Sequence, residues 1–256
     1  MKAVILAGGL GTRLREETEY RPKPMVEIGE KPILWHIMKN LSTQDLNDFI
    51  ICLGYKAEYI KDFFLNYDVR VNDSTIKIGK GSVVNQLSKS NEENWNITLA
   101  NTGLHTMTGG RIFKIRDYVN KERFLCTYGD GLADINLKSL LEFHVNHGKI
   151  ATITAVQPTN RFGALEIDSN NQVKNFTEKP KSEQWINGGF FIFEPEVFEY
   201  LNPDSTLEKE PLENLAKDNQ LMAFHHSGFW QPMDTYRETQ ELNSLWNSDS
   251  APWKTW

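Results

Sequence analysis

Lys2-Ala3-Val4-Ile5-Leu6-Ala7-Gly8-Gly9-Leu10-Gly11-Thr12-Arg13-Leu14 is the stretch on which the reading of the fold turns. After Lys2 it is a short apolar run without alternation, which is what a parallel strand covered on both faces requires. Three glycines follow, so the strand stops in a tight loop where missing side chains let backbone N–H groups approach an anion closely. Arg13 adds a planar, permanent charge, and Lys23, held between Pro22 and Pro24, adds a second. Together these parts suit a triphosphate. The spacing matches neither GxGxxG nor GxxxxGK[ST], which sets aside the dinucleotide fingerprint and the P-loop. A plain tight turn with two solvated cations is the other reading of the same residues.

Working outward, the chain alternates. Ile33, Ile37 and Leu41, with Leu34 and Met38 beside them, predict an amphipathic helix with Pro32 in its first turn. Further strands are predicted at 49–53, 96–100, 124–127 and 150–156, with helices at 57–65, 111–119 and around Leu137, Leu140, Leu141 and His144. Strand and helix in alternation predict an α/β fold, a doubly wound, mostly parallel, Rossmann-like mixed sheet. Residues 69–95 are polar and read as a variable surface excursion. Beyond residue 157 the rhythm changes to short extended pieces at 164–167, 172–176 and 188–193, expected to form a small antiparallel extension. Helices return at 211–217 and 236–246. No stretch reads as a linker, so residues 1–256 are expected to form a single domain.

Bulk properties narrow the chemistry. A chain of 256 residues with a formal charge of −6 has no basic field for a nucleic-acid partner, so phosphate affinity has to be built locally. The two cysteines, Cys52 and Cys126, lie inside apolar runs and read as buried thiols. The chain opens on a strand with no charged leader, and no apolar run approaches membrane-spanning length, so a cytoplasmic protein with no membrane partner is expected. His144, His147, His225 and His226 fit no zinc spacing.

The string from Ala7 to Leu14 followed by Arg21-Pro22-Lys23-Pro24-Met25 resembles the signature of the sugar-phosphate nucleotidyltransferases. That resemblance implies a nucleotidyltransferase-type fold and assigns nucleotide binding to Leu6, Ala7, Gly8, Gly9, Leu10, Gly11, Thr12, Arg13, Lys23, Thr106, Arg111 and Gly129. It makes Arg13, Lys23, Asp130 and Asp234 catalytic, with Asp130 of Tyr128-Gly129-Asp130-Gly131 and Asp234 of Trp230-Gln231-Pro232-Met233-Asp234 as the ligands of Mg²⁺. Read by themselves, Asp130 remains equally a turn residue and Asp234 a helix N-cap.

The same resemblance places the sugar phosphate against Gly163 of Arg161-Phe162-Gly163, Glu178 and Lys179 of Glu178-Lys179-Pro180, and Asn187 and Gly188 of Asn187-Gly188-Gly189. A hairpin turn and a surface ion pair are the plainer readings of the last two segments. Its implied substrates are CTP and glucose 1-phosphate, pointed to by residues 102–111, 228–235 and 251–256; composition and spacing do not distinguish cytosine from uracil or thymine. A nucleotide-sensing relative without activity is the competing class. Trp246, Trp253 and Trp256 are expected either to join a homo-oligomer or to pack on the chain's own core.

Overall fold

The computed structural model describes residues 1–78, 93–119, 121–159 and 162–256 in full, and the backbone of 83–86. Arg161 and parts of the 69–95 excursion therefore lie outside the described residues. A short helix, Tyr67–Val71, leads into that excursion, in which Ser74–Lys77 pairs antiparallel with Val83–Gln86.

Seven strands form the central sheet: β1 (Lys2–Leu6), β2 (Asp48–Leu53), β3 (Asn96–Asn101), β4 (Phe124–Tyr128), β5 (Ala151–Val156), β6 (Ile186–Phe193) and β7 (Leu221–His226). Their order is β7-β5-β6-β4-β1-β2-β3. All neighbours pair in parallel except β6, which runs antiparallel to both β4 and β5. The mixed, mostly parallel sheet is thus present, with one correction. The 188–193 piece belongs to the middle of the main sheet, and only Ala164–Ile167 and Val173–Thr177 form a separate antiparallel pair.

Alternation along the strands builds two cores. Ala3 and Ile5, Phe49 and Ile51, Leu125 and Ile192 point to one face, where they meet helices α1 (Ile33–Ser42), α2 (Ala57–Leu65), α4 (Leu137–His147) and α6 (Tyr236–Asn247). Val4, Leu6, Ile50, Cys52, Cys126, Phe191 and Phe193 point to the other, against α3 (Thr108–Lys114) and α5 (Glu210–Lys217). Both faces are apolar because both are covered, which is why these strands read as unbroken runs. The thiols of Cys52 and Cys126 are buried and free, and burial pushes Cys52 up to about 12. Pro32 sits at the N-cap of α1 instead of inside it, and the helix expected at 111–119 starts earlier, ends at Lys114 and continues as the 3-10 turn Arg116–Val119. Among the described residues no helix is long and apolar enough to cross a membrane.

The tryptophans near the C-terminus pack inward. Trp253 is fully buried and Trp246 and Trp256 lean on the same core, all three around His36 of α1. The His36 Nε2 faces Ile28 O at 2.8 Å while the Trp253 indole N–H donates to Nδ1, so the ring is neutral with its hydrogen on Nε2. Burial lowers its pKa from 6.5 to about 4. The unfolded chain takes up this proton near 6.5 and the folded chain only near 4, so stability is full above 6.5 and is lost as pH falls between the two. The loss between pH 7 and pH 5 is about 2 kcal/mol. Burial depresses His144 and His147 in the same direction. Urea midpoints at the two pH values check this, and a His36→Asn variant should show a visibly flatter pH dependence.

Candidate active site

The chain runs outward from β1 to β3 and then returns to β4 on the opposite side of β1, so the C-terminal ends of β1 and β4 border a topological switch point. The glycine turn leaves β1 here and Asp130 leaves β4 here. The Gly129 N–H donates to Leu6 O at 3.0 Å, tying the two ends together. Beyond Gly8, the N–H groups of residues 9–13 have no backbone acceptor among the described residues. Donors left without a backbone acceptor in one turn are the material from which anion-binding concavities are built. Gly8 has a packing reason as well: a Cβ there would fall 2.1 Å from Arg111 Nη1.

Lys23 lies in the 3-10 turn Lys23–Met25 and is buried. Its ammonium donates to Asp130 Oδ2 at 2.6 Å and to Asp234 Oδ1 at 2.5 Å, while Arg13 Nη1 donates to Asp234 Oδ2 at 2.6 Å. Two carboxylates from residues far apart in the chain therefore converge on one cation. A short pairing of Trp230–Pro232 with Gly131–Ala133, closed by Met233 N–H to Asp130 O at 2.8 Å, brings them together. The helix that follows is capped by Thr235, not Asp234. The Glu238 carboxylate accepts from the N–H groups of both, leaving the Asp234 side chain free for the cluster.

A cavity of about 360 Å³ opens beside this cluster. Of the nucleotide residues expected from sequence, Leu6, Ala7, Gly8, Gly9, Gly11, Thr12, Arg13, Lys23, Thr106, Arg111 and Gly129 line it, together with Asp130. Leu10 is absent from the lining and is half exposed. Arg111 is buried, and its guanidinium spans the backbone of three loops: it donates to Leu53 O at 3.1 Å, Gly103 O at 2.8 Å and Gly8 O at 2.9 Å, and to the Thr102 hydroxyl at 2.7 Å. Burial lowers its pKa without removing its charge. Arg111 thus fixes the shape of the glycine turn.

The sugar-side residues are not gathered there. Gly188 O accepts from the Trp230 indole at 2.7 Å, and neither Gly188 nor Asn187 is part of the cavity lining. Gly163, Glu178 and Lys179 sit on the exposed hairpin of Ala164–Ile167 with Val173–Thr177 and do not reach the cavity. A larger cavity of about 670 Å³, walled by Tyr20, Tyr59 and Phe63 among others, is lined by none of the expected site residues, so chemistry and not size locates the site. Sequence reasoning missed Glu208. Its carboxylate accepts from Thr108 Oγ1 at 2.6 Å and from the Tyr128 hydroxyl, whose pKa is raised by burial and by that carboxylate. Nothing in its loop sequence signals the contact.

A switch-point phosphate turn joined to two convergent carboxylates defines a nucleotide-handling transferase, and the chain belongs to the nucleotidyl transferase family, whose model matches residues 2–235. It is 53% identical to the glucose-1-phosphate cytidylyltransferases of Salmonella typhi and Salmonella typhimurium, over 100% of this chain and of each of those proteins. Among solved structures it is similar to HddC from Yersinia pseudotuberculosis complexed with GMP-PN, at a TM-score of 0.68 and 26% identity, covering 96% of this chain and 99% of that one.

Proposed function

We propose that this chain transfers the cytidylyl group of CTP to α-D-glucose 1-phosphate, forming CDP-glucose and releasing pyrophosphate. The observation that carries the reading is the meeting of Asp130 and Asp234 on one cationic position beside the glycine turn. The choice of substrates is supported by the two full-length relatives.

Among the described residues no group of three or more His, Cys, Asp or Glu side chains is placed to hold a metal ion. Two carboxylates at 2.6 and 2.5 Å from a single ammonium nitrogen are nevertheless spaced for a small cation. That donor set fits Mg²⁺, which takes few protein carboxylates and completes its shell with phosphate oxygens and water. Asp130 and Asp234 would hold it, and once bound it would neutralise charge on the nucleotide phosphates.

The chain's own groups do the rest. Arg13, Lys23 and the orphan N–H groups of the turn bind phosphate oxygens. Asn187 takes sugar hydroxyls and Gly188 lets the ring approach the backbone, and Glu178 and Gly163 add to these roles when their exposed hairpin moves toward the cavity. Lys179 meets the sugar phosphate once its exposed hairpin moves toward the cavity. An oxygen of the sugar phosphate attacks the α-phosphorus in line. The new P–O bond forms as the bond to the β-phosphate oxygen breaks, and pyrophosphate leaves with the electron pair. A phosphate monoester has its second pKa at about 6, so the nucleophile is already a dianion and needs no general base.

Pyrophosphate release from CTP, UTP, dTTP, ATP and GTP, each with glucose 1-phosphate and MgCl₂, tests the proposal. CTP is expected to lead. Preference for UTP or dTTP would overturn the base, and no release from any of the five would overturn the reaction. The proposal also places the chain in the cytoplasm, where nucleoside triphosphates and reduced thiols such as Cys52 and Cys126 belong. It further takes the chain to be a homo-oligomer, joined through exposed apolar side chains such as Phe162, Leu165 and Phe176. A monomer mass by light scattering would remove that last part.

A further inference from the structure

Besides Thr12 of the glycine turn, three hydroxyl-bearing residues line the cavity, Thr106, Thr108 and Tyr128. A hydroxyl has one hydrogen to give and two lone pairs to offer. All three hydrogens are already given to the protein. The Thr106 hydroxyl donates to Thr102 O at 2.7 Å, the Thr108 hydroxyl to Glu208 Oε2 at 2.6 Å, and the Tyr128 hydroxyl to Glu208 Oε1. Two of the oxygens are held from a second side too, by Lys114 Nζ at 3.0 Å on Thr106 and by the Leu207 N–H at 2.9 Å on Thr108. What remains for a ligand is at least one lone pair on each.

A wall of fixed acceptors discriminates between pyrimidines. Cytosine carries an amino group at C4, which donates; uracil and thymine carry a carbonyl there, whose lone pairs would face those of the wall. With the phosphates held by the turn, Arg13 and Lys23, the hydroxyl-bearing part of the lining is left for the nucleoside.

We propose that Glu208 is a specificity-determining positioning residue, which fixes the Thr108 and Tyr128 hydroxyls as acceptors and thereby favours a 4-amino pyrimidine over a 4-oxo one. This rests on the cytidylyl-transfer reading and deepens it. Glu208 accepts two hydrogens because both its oxygens are acceptors; a glutamine of the same shape offers one acceptor and one donor. In Glu208→Gln one of the two hydroxyls therefore receives a hydrogen from the carboxamide, and its own hydrogen turns into the cavity.

The test is kcat/KM for CTP and for UTP, each with glucose 1-phosphate and Mg²⁺, in the unsubstituted enzyme and in Glu208→Gln. The CTP-to-UTP ratio is expected to fall about tenfold, the scale of one reversed hydrogen bond, with the value for UTP rising in absolute terms. A structural defect lowers both and leaves the ratio alone, so an unchanged ratio overturns the proposal. A shift confined to CTP against dCTP also overturns it, by moving the acceptor wall to the ribose. Thr108→Val supplies a second arm: loss of one lone pair should weaken CTP more than UTP, and equal losses count against the idea. If the unsubstituted enzyme prefers UTP or dTTP, the cytidylyl reading itself has failed, and that result is visible before any variant is made.

Discussion

Asp130→Asn is expected to lower kcat for pyrophosphate release by about a hundredfold or more, equivalent to ~3 kcal/mol of transition-state stabilisation. The side chain keeps its shape and loses its charge, so the change isolates electrostatics from packing. In the resting protein the Asp130 carboxylate faces the Lys23 ammonium at 2.6 Å and is about a third exposed. An amide can still accept from Lys23 there, so far-UV circular dichroism and the melting temperature should stay close to the parent. What an amide cannot do is help hold a divalent cation among phosphate oxygens. The effect should therefore fall on turnover with saturating CTP. Lys23→Ala should be comparably inactive for the complementary reason: it removes the cation shared by both carboxylates and leaves Asp234 paired with Arg13 alone. Parent-like turnover of Asp130→Asn at saturating MgCl₂ would end the assignment of these two aspartates.

The second large effect concerns stability. Trp253→Ala is expected to destabilise the fold by about 3–5 kcal/mol, since a fully buried indole is lost and the space cannot close completely. Trp253 is ringed by Phe229 and His36, its indole N–H meets His36 Nδ1, and its backbone oxygen accepts from the Asn40 amide at 2.8 Å. Removing it loosens the closing segment from α1 and leaves His36 without a donor. For a chain of this size each kcal/mol shifts the melting temperature by roughly 2–4 °C, so calorimetry should record a fall of roughly 10 °C. A change below about 2 °C would mean that the segment contributes nothing to the core.

The β1 run, the glycine turn and α1 were legible because each carries a clear local pattern: an unbroken apolar run, clustered glycines, and apolar residues at a spacing of four. The edge strand β7, Leu-Met-Ala-Phe-His-His, was not, because it is covered incompletely and its apolar run is only four residues long before two histidines. The piece expected at 188–193 is extended, as part of the strand Ile186–Phe193, but belongs to the main sheet and not to the antiparallel extension, although its unbroken Phe-Phe-Ile-Phe is the mark of a strand covered on both faces. On the site side, Gly8, Arg13, Lys23 and Asp130 announce themselves through local motifs. What joins Asp130 to Asp234 is a three-residue strand pairing, and what joins Glu208 to Tyr128 is a contact spanning 80 positions. Neither leaves a local trace, since both depend on where the chain returns and not on what precedes or follows. Arg111 shows the converse: its position at the cavity was expected, while its use as a strut for the glycine turn required the coordinates.

The placement of β6 also bears on how the molecule comes to exist. The ribosome delivers β1 to β4 as a contiguous parallel half, yet the partner that covers the outer side of β4 is not synthesised until some sixty residues later. Until then Phe124, Leu125 and Cys126 lie on an open, apolar strand border, the kind of surface that pairs with the wrong chain. Nascent protein interrupted before residue 186 should therefore be aggregation-prone and dependent on chaperones, and refolding should be limited by the late insertion of one antiparallel strand into the middle of a sheet.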